Sequence, residues 1–220
     1  MEASTTRVRV GAAALACLLT VLLAGAAWAG LPTDQLKGAI DRVIRALEDP
    51  SLKGEGKVIE RRQAVRKIAN DIFDFAEIAR RSMARHWQPL TDAQRTEFVG
   101  LFGELLERSY ISKIELYGGE KILYTNERVD GDYATVGTKI ITKNGTEVPV
   151  DYKMLRKSDH WMVYDVNIEG VSLVSNYRTQ FNKIIQTTSY NELVGKLKTK
   201  QDELLAEDAA QRKKATPTKN

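Results

Sequence analysis

Few side chains in this chain could make or break bonds, and their spacing suits that work poorly. The two histidines, His86 and His160, each precede a tryptophan, Trp87 and Trp161, at the ends of separate segments. Neither stands in a cluster of Cys, Asp or Glu, whereas a zinc site needs three or four converging ligands. Asp151, Asp165 and Glu169 fall in strand-like stretches and could act as a general base in a pocket. Solvent-facing or salt-bridged strand carboxylates are the commoner case. There is no Gly-rich phosphate loop and no nucleophile elbow. The expectation is a protein with no cofactor, no metal and no catalytic set.

The first residues carry an address rather than structure. Arg7 and Arg9 precede an apolar run from Val10 to about Ala27, and the run ends in Ala27-Trp28-Ala29. That order predicts a secretory signal peptide over 1–29, cleaved after Ala29. Cys17, the single cysteine, lies inside the run and is removed with it. A secreted protein without cysteine owes its stability to core packing rather than to disulfides. Cleavage leaves 31 basic against 28 acidic residues, too mild an excess to predict a nucleic-acid partner. Part of it sits in Arg212, Lys213, Lys214 and Lys219. Residues 30–206 are expected to form one domain, with a disordered basic tail over 207–220.

The elements follow from periodicity. Leu36, Ile40, Val43, Ile44 and Leu47 recur at helical spacing until Asp49-Pro50. A second amphipathic helix carries Val58, Val65, Ile68, Ala69 and Ile72, and a third opens at Phe73-Asp74-Phe75 and ends near His86-Trp87. Thr91 with Gln94 reads as a capping box ahead of the longest helix, whose apolar stripe runs from Phe98 to Tyr117 before Gly118-Gly119. The period then changes to two. Ile122 to Arg128, Tyr133 to Lys143, Glu147 to Lys157 and Trp161 to Glu169 predict four strands. Asp130-Gly131 and Asn144-Gly145 predict type I′ hairpins between them, and Ser158-Asp159 makes the third turn. Helical spacing returns at Leu173, Tyr177, Phe181, Ile184 and Ile185, and again at Leu193, Val194 and Leu197. Helices, then a meander, then helices imply an α+β domain with helices packed on one face of a curved sheet.

Three stretches resemble the MlaC family of toluene-tolerance auxiliary, or phospholipid-binding ABC-transport, proteins. Phe73-Asp74-Phe75 with Ile78-Ala79-Arg80-Arg81 and His86-Trp87 is similar to the family's "DF..MAR..L...W" segment. Thr91 to Tyr110 is similar to its "T..Q..EF...F..LL...Y" helix. Trp161 to Arg178, completed by Gln180-Phe181, is close to "W.VYDV.IEGVSLV.NYR.QF". Met83 and Ala84 stand where many relatives have Leu and Gly, which reads as a mild packing change. The resemblance implies an NTF2-like fold with additional packed helices enclosing a deep apolar pocket. It also implies a periplasmic carrier that exchanges phospholipid between an outer-membrane lipoprotein–porin complex and an inner-membrane ABC transporter complex with an MCE component.

The physical requirement agrees with that role. One C16 chain represents roughly 12 kcal/mol of hydrocarbon to keep from water. A carrier therefore needs a dry slot for the tails, with the head group near the mouth. The residues expected to contact the tails are Ile78, Phe102, Leu105, Tyr110, Ile114, Val136, Ile140, Val150, Tyr152, Met154, Val163 and Val171. Strand alternation puts Val150, Tyr152 and Met154 on one face, and Val136 with Ile140 on one face of another strand. Arg80, Arg81 or Arg85 could meet the phosphate, although exposed arginine is usually only a solvated face. The alternatives are a carrier of another lipid such as a hopanoid, a pocket enzyme on an NTF2-like scaffold, and a chaperone-like protein that covers apolar segments.

Overall fold

A computed structural model describes residues 31–215; the expected signal peptide and Cys17 lie outside the described residues. Helix α1, Pro32–Glu48, begins with a proline whose fixed φ suits a first helical position. It ends at Asp49, which is extended ahead of Pro50 and turns its carboxylate back to accept from the Ser51 N–H at 2.8 Å. Helix α2, Val58–Ile72, stops at Phe73. Helix α3, Phe75–Met83, is capped by Asp74, which accepts from the Glu77 N–H at 3.0 Å. Helix α4, Asp92–Ile114, has the predicted capping box: Thr91 and Gln94 satisfy each other's backbone N–H. It ends three residues before Tyr117, in tighter turns in which Leu116 donates to Lys113 and Tyr117 to Ile114.

Five antiparallel strands follow in simple meander order: β1 Lys121–Asp130, β2 Tyr133–Ile141, β3 Glu147–Lys157, β4 His160–Ile168 and β5 Val171–Ser172. Helices α5, Leu173–Thr187, and α6, Tyr190–Ala215, close the chain. The α+β reading holds. The last helix runs past Glu207, where the sequence reading starts its disordered tail; residues 216–220 lie outside the described residues.

The turns differ from the sequence reading in type. Asp130 pairs with Tyr133, so Gly131 and Asp132 are the central residues, and only Gly131 has positive φ. That is the pattern of a II′ turn, not I′. Around Asn144-Gly145 the paired ends are Ile141 and Glu147, which makes a longer loop with Gly145 alone at positive φ. The turn with both central residues at positive φ is Glu169-Gly170, and it creates β5, a strand absent from the sequence reading.

Two bulges bend the sheet, one at Thr125 in β1 and one at Tyr164 in β4. Opposite the first lies Gly137, where a Cβ would run into the Asn126 side chain. A side chain at 137 would require Asn126 to move. On the inner face the register aligns Ala134 with Met154, Val136 with Tyr152, Thr138 with Val150, and Met154 with Val163. Helices α1 and α2 lie against this face, while α3, α4, α5 and α6 pack mainly on one another. Phe98, Phe102, Tyr177 and Phe181 anchor the helical layer, with edge-to-face pairs such as Phe102–Phe181 at 5.0 Å and Phe98–Phe181 at 5.5 Å.

Ala84 proves to be more than a packing change. It terminates α3 with φ +48° and ψ −121°, a region that suits glycine and strains any side chain. Ala84→Gly is expected to stabilise the fold by about 1 kcal/mol, the relief of strain outweighing the added freedom of the unfolded chain. Urea denaturation checks it; an unchanged or lower midpoint contradicts it.

Candidate functional site

Two of the residues with catalytic potential, Asp165 and His86, are held in structural contacts. Asp165 is buried, 4% exposed, and accepts from Ser172 Oγ at 2.7 Å and from the Val174 N–H at 3.0 Å. It also pairs with Lys153 at 3.2 Å. Its charge therefore sits at the amino end of α5, where the helix field favours an anion. His86 Nε2 lies 3.0 Å from Asn182 Oδ1, which also accepts from Arg85 at 2.9 Å. His160 is exposed at the start of β4, and Glu169 is a turn residue. Among the described residues no three His, Cys, Asp or Glu converge as a metal site would require. No helix among them is long and apolar enough to cross a membrane.

The apolar interior is divided. One cluster is helical and gathers Ile78, Met83, Phe98, Phe102, Leu106, Phe181 and Leu193, with Leu105 and Tyr110 packed against it. The other joins the inner sheet face, as Val136, Met154, Trp161 and Val163, to Leu36 and Ile72 of α1 and α2, with Tyr124 and Tyr152 at its margin. Phe73 packs against both. Its backbone bridges to Val163, and the neighbouring Asp74 N–H donates to the Val163 carbonyl at 2.9 Å.

Of the expected tail contacts, Ile78, Phe102, Leu105 and Tyr110 belong to the helical cluster, and Val136, Tyr152, Met154 and Val163 to the sheet cluster. Val150 is buried on the inner sheet face, and Ile140 is half-buried beside it. Two residues fall elsewhere. Ile114 is exposed at the carboxyl end of α4, and Val171 is 62% exposed on β5, because the Glu169-Gly170 turn carries it away from both clusters. Val171→Glu is therefore expected to leave lipid content unchanged, read by mass spectrometry of extracted lipid; a clear drop would put Val171 back at the site.

The three candidate phosphate arginines are also placed. Arg80 and Arg81 both bind Glu77, at 2.6 Å each, and Arg81 lies 4.0 Å over the Tyr164 ring. Arg85 is held by Asn182. Arg80 is thus committed to α3, Arg85 to α5, and Arg81 to α3 and the Tyr164 ring of β4. Sequence reading passed over Tyr124, which alternates with Ile122 on β1 and has a buried hydroxyl without a hydrogen-bond partner. Burial pushes that hydroxyl well above the ordinary tyrosine value, and the Tyr152 hydroxyl up to about 12. A groove of about 560 Å³ runs between Met83–His86 and α5, and another of about 500 Å³ lies along α6. Neither is lined by any expected tail contact.

Residues 37–199 match the family described as MlaC protein. The intermembrane phospholipid transport system binding protein MlaC of Haemophilus influenzae is 25% identical over 138 residues, 59% of this chain and 64% of that one. Toluene tolerance protein ttg2D of Pseudomonas putida is 29% identical over 83 residues, 34% of this chain and 39% of that one. The chain thus spans less than two thirds of the length of these curated relatives. The solved phospholipid-binding protein from Ralstonia solanacearum, in complex with a phospholipid, superposes with a TM-score of 0.72 at 26% identity, covering 80% of this chain and 99% of that one. With the family match extending over well more than half its length, the chain belongs to the MlaC family.

Proposed function

We propose that this chain is a periplasmic phospholipid carrier, exported by cleavage after Ala29, that takes acyl tails between its helical and sheet clusters. The observation that carries the reading is the divided core. A domain of this size ordinarily builds one contiguous apolar core. Here two clusters share Phe73, and α4 makes its extended contacts with other helices rather than with the sheet. Tails parting the two clusters would exchange side-chain contacts for hydrocarbon contacts, at little net cost in apolar area. A phospholipid bound to the Ralstonia relative supports the same ligand class. The partners that the family resemblance implies for such a carrier are an inner-membrane ABC transporter complex with an MCE component and an outer-membrane lipoprotein–porin complex. The seam needs no covalent step, and Asp165, the best-buried carboxylate of the strands, is held by α5 and Lys153.

Native mass spectrometry of the purified protein, with identification of the extracted lipid, tests the reading. A one-to-one complex with a diacyl phospholipid is expected. A protein that is empty, and that stays empty after incubation with liposomes, overturns it.

A further inference from the structure

One row of the inner sheet face is polar at two places: Tyr124 of β1 pairs with Thr138 of β2, which pairs in turn with Val150. Thr138 is buried and donates to the Val150 carbonyl at 2.9 Å. Tyr124 is different. Its ring packs half-buried against the sheet cluster, while its hydroxyl is shut off from water and has no hydrogen-bond partner among the described residues. A hydroxyl left in that state destabilises the fold, and phenylalanine would fill the same space without that cost. Burial, and then the nearby charge of Asp41, keep the hydroxyl protonated and so available as a donor. The Asp41 carboxylate is itself engaged by Lys37 at 2.6 Å.

Tyr124 stands where the apolar face opens. The next row toward the end of the sheet, Ile122, Ile140 and Val148, is only half-buried. The carboxyl end of α4 lies at this same end of the molecule, since a Cβ on Gly118 would run into Lys143 of the β2–β3 loop. Ile114 and Leu116 are exposed there, and Glu115 between them ties α4 to α2 through Arg61 at 3.0 Å. In the other direction Phe73 and Val163, where the two clusters meet, lie three strands away, about 14 Å across the sheet. An acyl chain that enters past Ile122 and reaches toward Phe73 leaves its carbonyl end beside Tyr124.

We propose that the Tyr124 hydroxyl donates a hydrogen bond to an ester carbonyl of the bound lipid, and that this bond makes the site selective for ester-linked over ether-linked tails. The proposal rests on the tail-binding reading above and adds the linkage of the tails to it. In a diacyl lipid the ester carbonyls lie between the hydrocarbon and the charged phosphate. A tyrosine suits that boundary, with an apolar ring on one side and a polar tip on the other. The carbonyl satisfies the buried hydroxyl without carrying a charge into the apolar face. An ether-linked tail has no carbonyl to offer and leaves the donor unpaired.

The test offers the delipidated chain vesicles containing equal amounts of diester and diether phosphatidylglycerol with chains of the same length, and counts each bound lipid by mass spectrometry. The parent chain is expected to favour the diester about fivefold, the worth of one ordinary hydrogen bond. Tyr124→Phe should bring the ratio close to parity by losing diester. Its delipidated form should melt no lower than the parent's, because an unpaired hydroxyl has been removed. Parity in the parent chain overturns the assignment. So does a ratio that Tyr124→Phe leaves unchanged, which is the result if water alone meets the hydroxyl. A melt several degrees lower would reveal a structural partner for the hydroxyl and overturns it too. In each of these cases lipid still loads and the tail-binding reading stands. Loading of neither lipid by the parent chain sinks that reading and this assignment with it.

Discussion

Leu105→Glu is expected to lower bound phospholipid about a hundredfold while leaving the protein folded. Leu105 is half-buried where α4 borders the helical cluster. A glutamate there can reach water as long as only protein surrounds it. Against an acyl tail the same carboxylate is desolvated, and an unpaired buried charge costs several kcal/mol. A penalty of about 2.7 kcal/mol already gives the hundredfold loss. Leu116→Glu is the control, since Leu116 is 80% exposed and should hold its lipid. Native mass spectrometry reads both variants. A full lipid complement in Leu105→Glu would remove α4 from the wall of the site.

Asp165→Ala is expected to cost about 2–3 kcal/mol of stability. Removing one partner of a buried pair leaves the other groups unsatisfied, though Lys153 is 39% exposed and stays partly hydrated, which lowers the loss. The Val174 N–H and Ser172 Oγ lose their acceptor, so β4 and α5 lose their polar join. The corresponding drop in Tm is roughly 5–10 °C for a domain of this size. Asp165→Asn keeps an acceptor and should lose about half as much. Thermal melts followed by circular dichroism check both. A melt within a degree of the parent would mean that the carboxylate does not hold α5.

Local chemistry made much of the architecture legible. The Asp49-Pro50 stop, the Thr91–Gln94 capping box and the change of period after Gly118-Gly119 each depend on residues a few positions apart, and each appears in the structure where the sequence places it. Strand alternation also put Val150, Tyr152 and Met154 on one face of their strand and Val136 with Ile140 on one face of theirs, because side chains alternate with a period of two; the cross-strand register brings the two sets onto the same face. The family signature in Trp161–Arg178 pointed to the lineage that the match over 37–199 then supported.

Other features needed the fold. Turn type at Gly131 and Asn144-Gly145 depends on which residues pair across the sheet, and Asp130 pairing with Tyr133 decided the first. The Glu169-Gly170 turn is local, yet β5 exists only because β4 lies beside it, and that geometry put Val171 outside. Helical spacing names an apolar stripe without saying which neighbour covers it. Only packing could divide one list of hydrophobic residues into two clusters that meet at Phe73. The arginines differ in the same way. Arg80, Arg81 and Arg61 are alike in sequence, but Glu77 is one helical turn from the first two, whereas Glu115 reaches Arg61 across 54 residues. Sequence alone determined the six helices, four of the five strands and their apolar faces, since those depend on neighbours along the chain. Tertiary structure decided which charges meet and where the core parts, since those depend on neighbours in space.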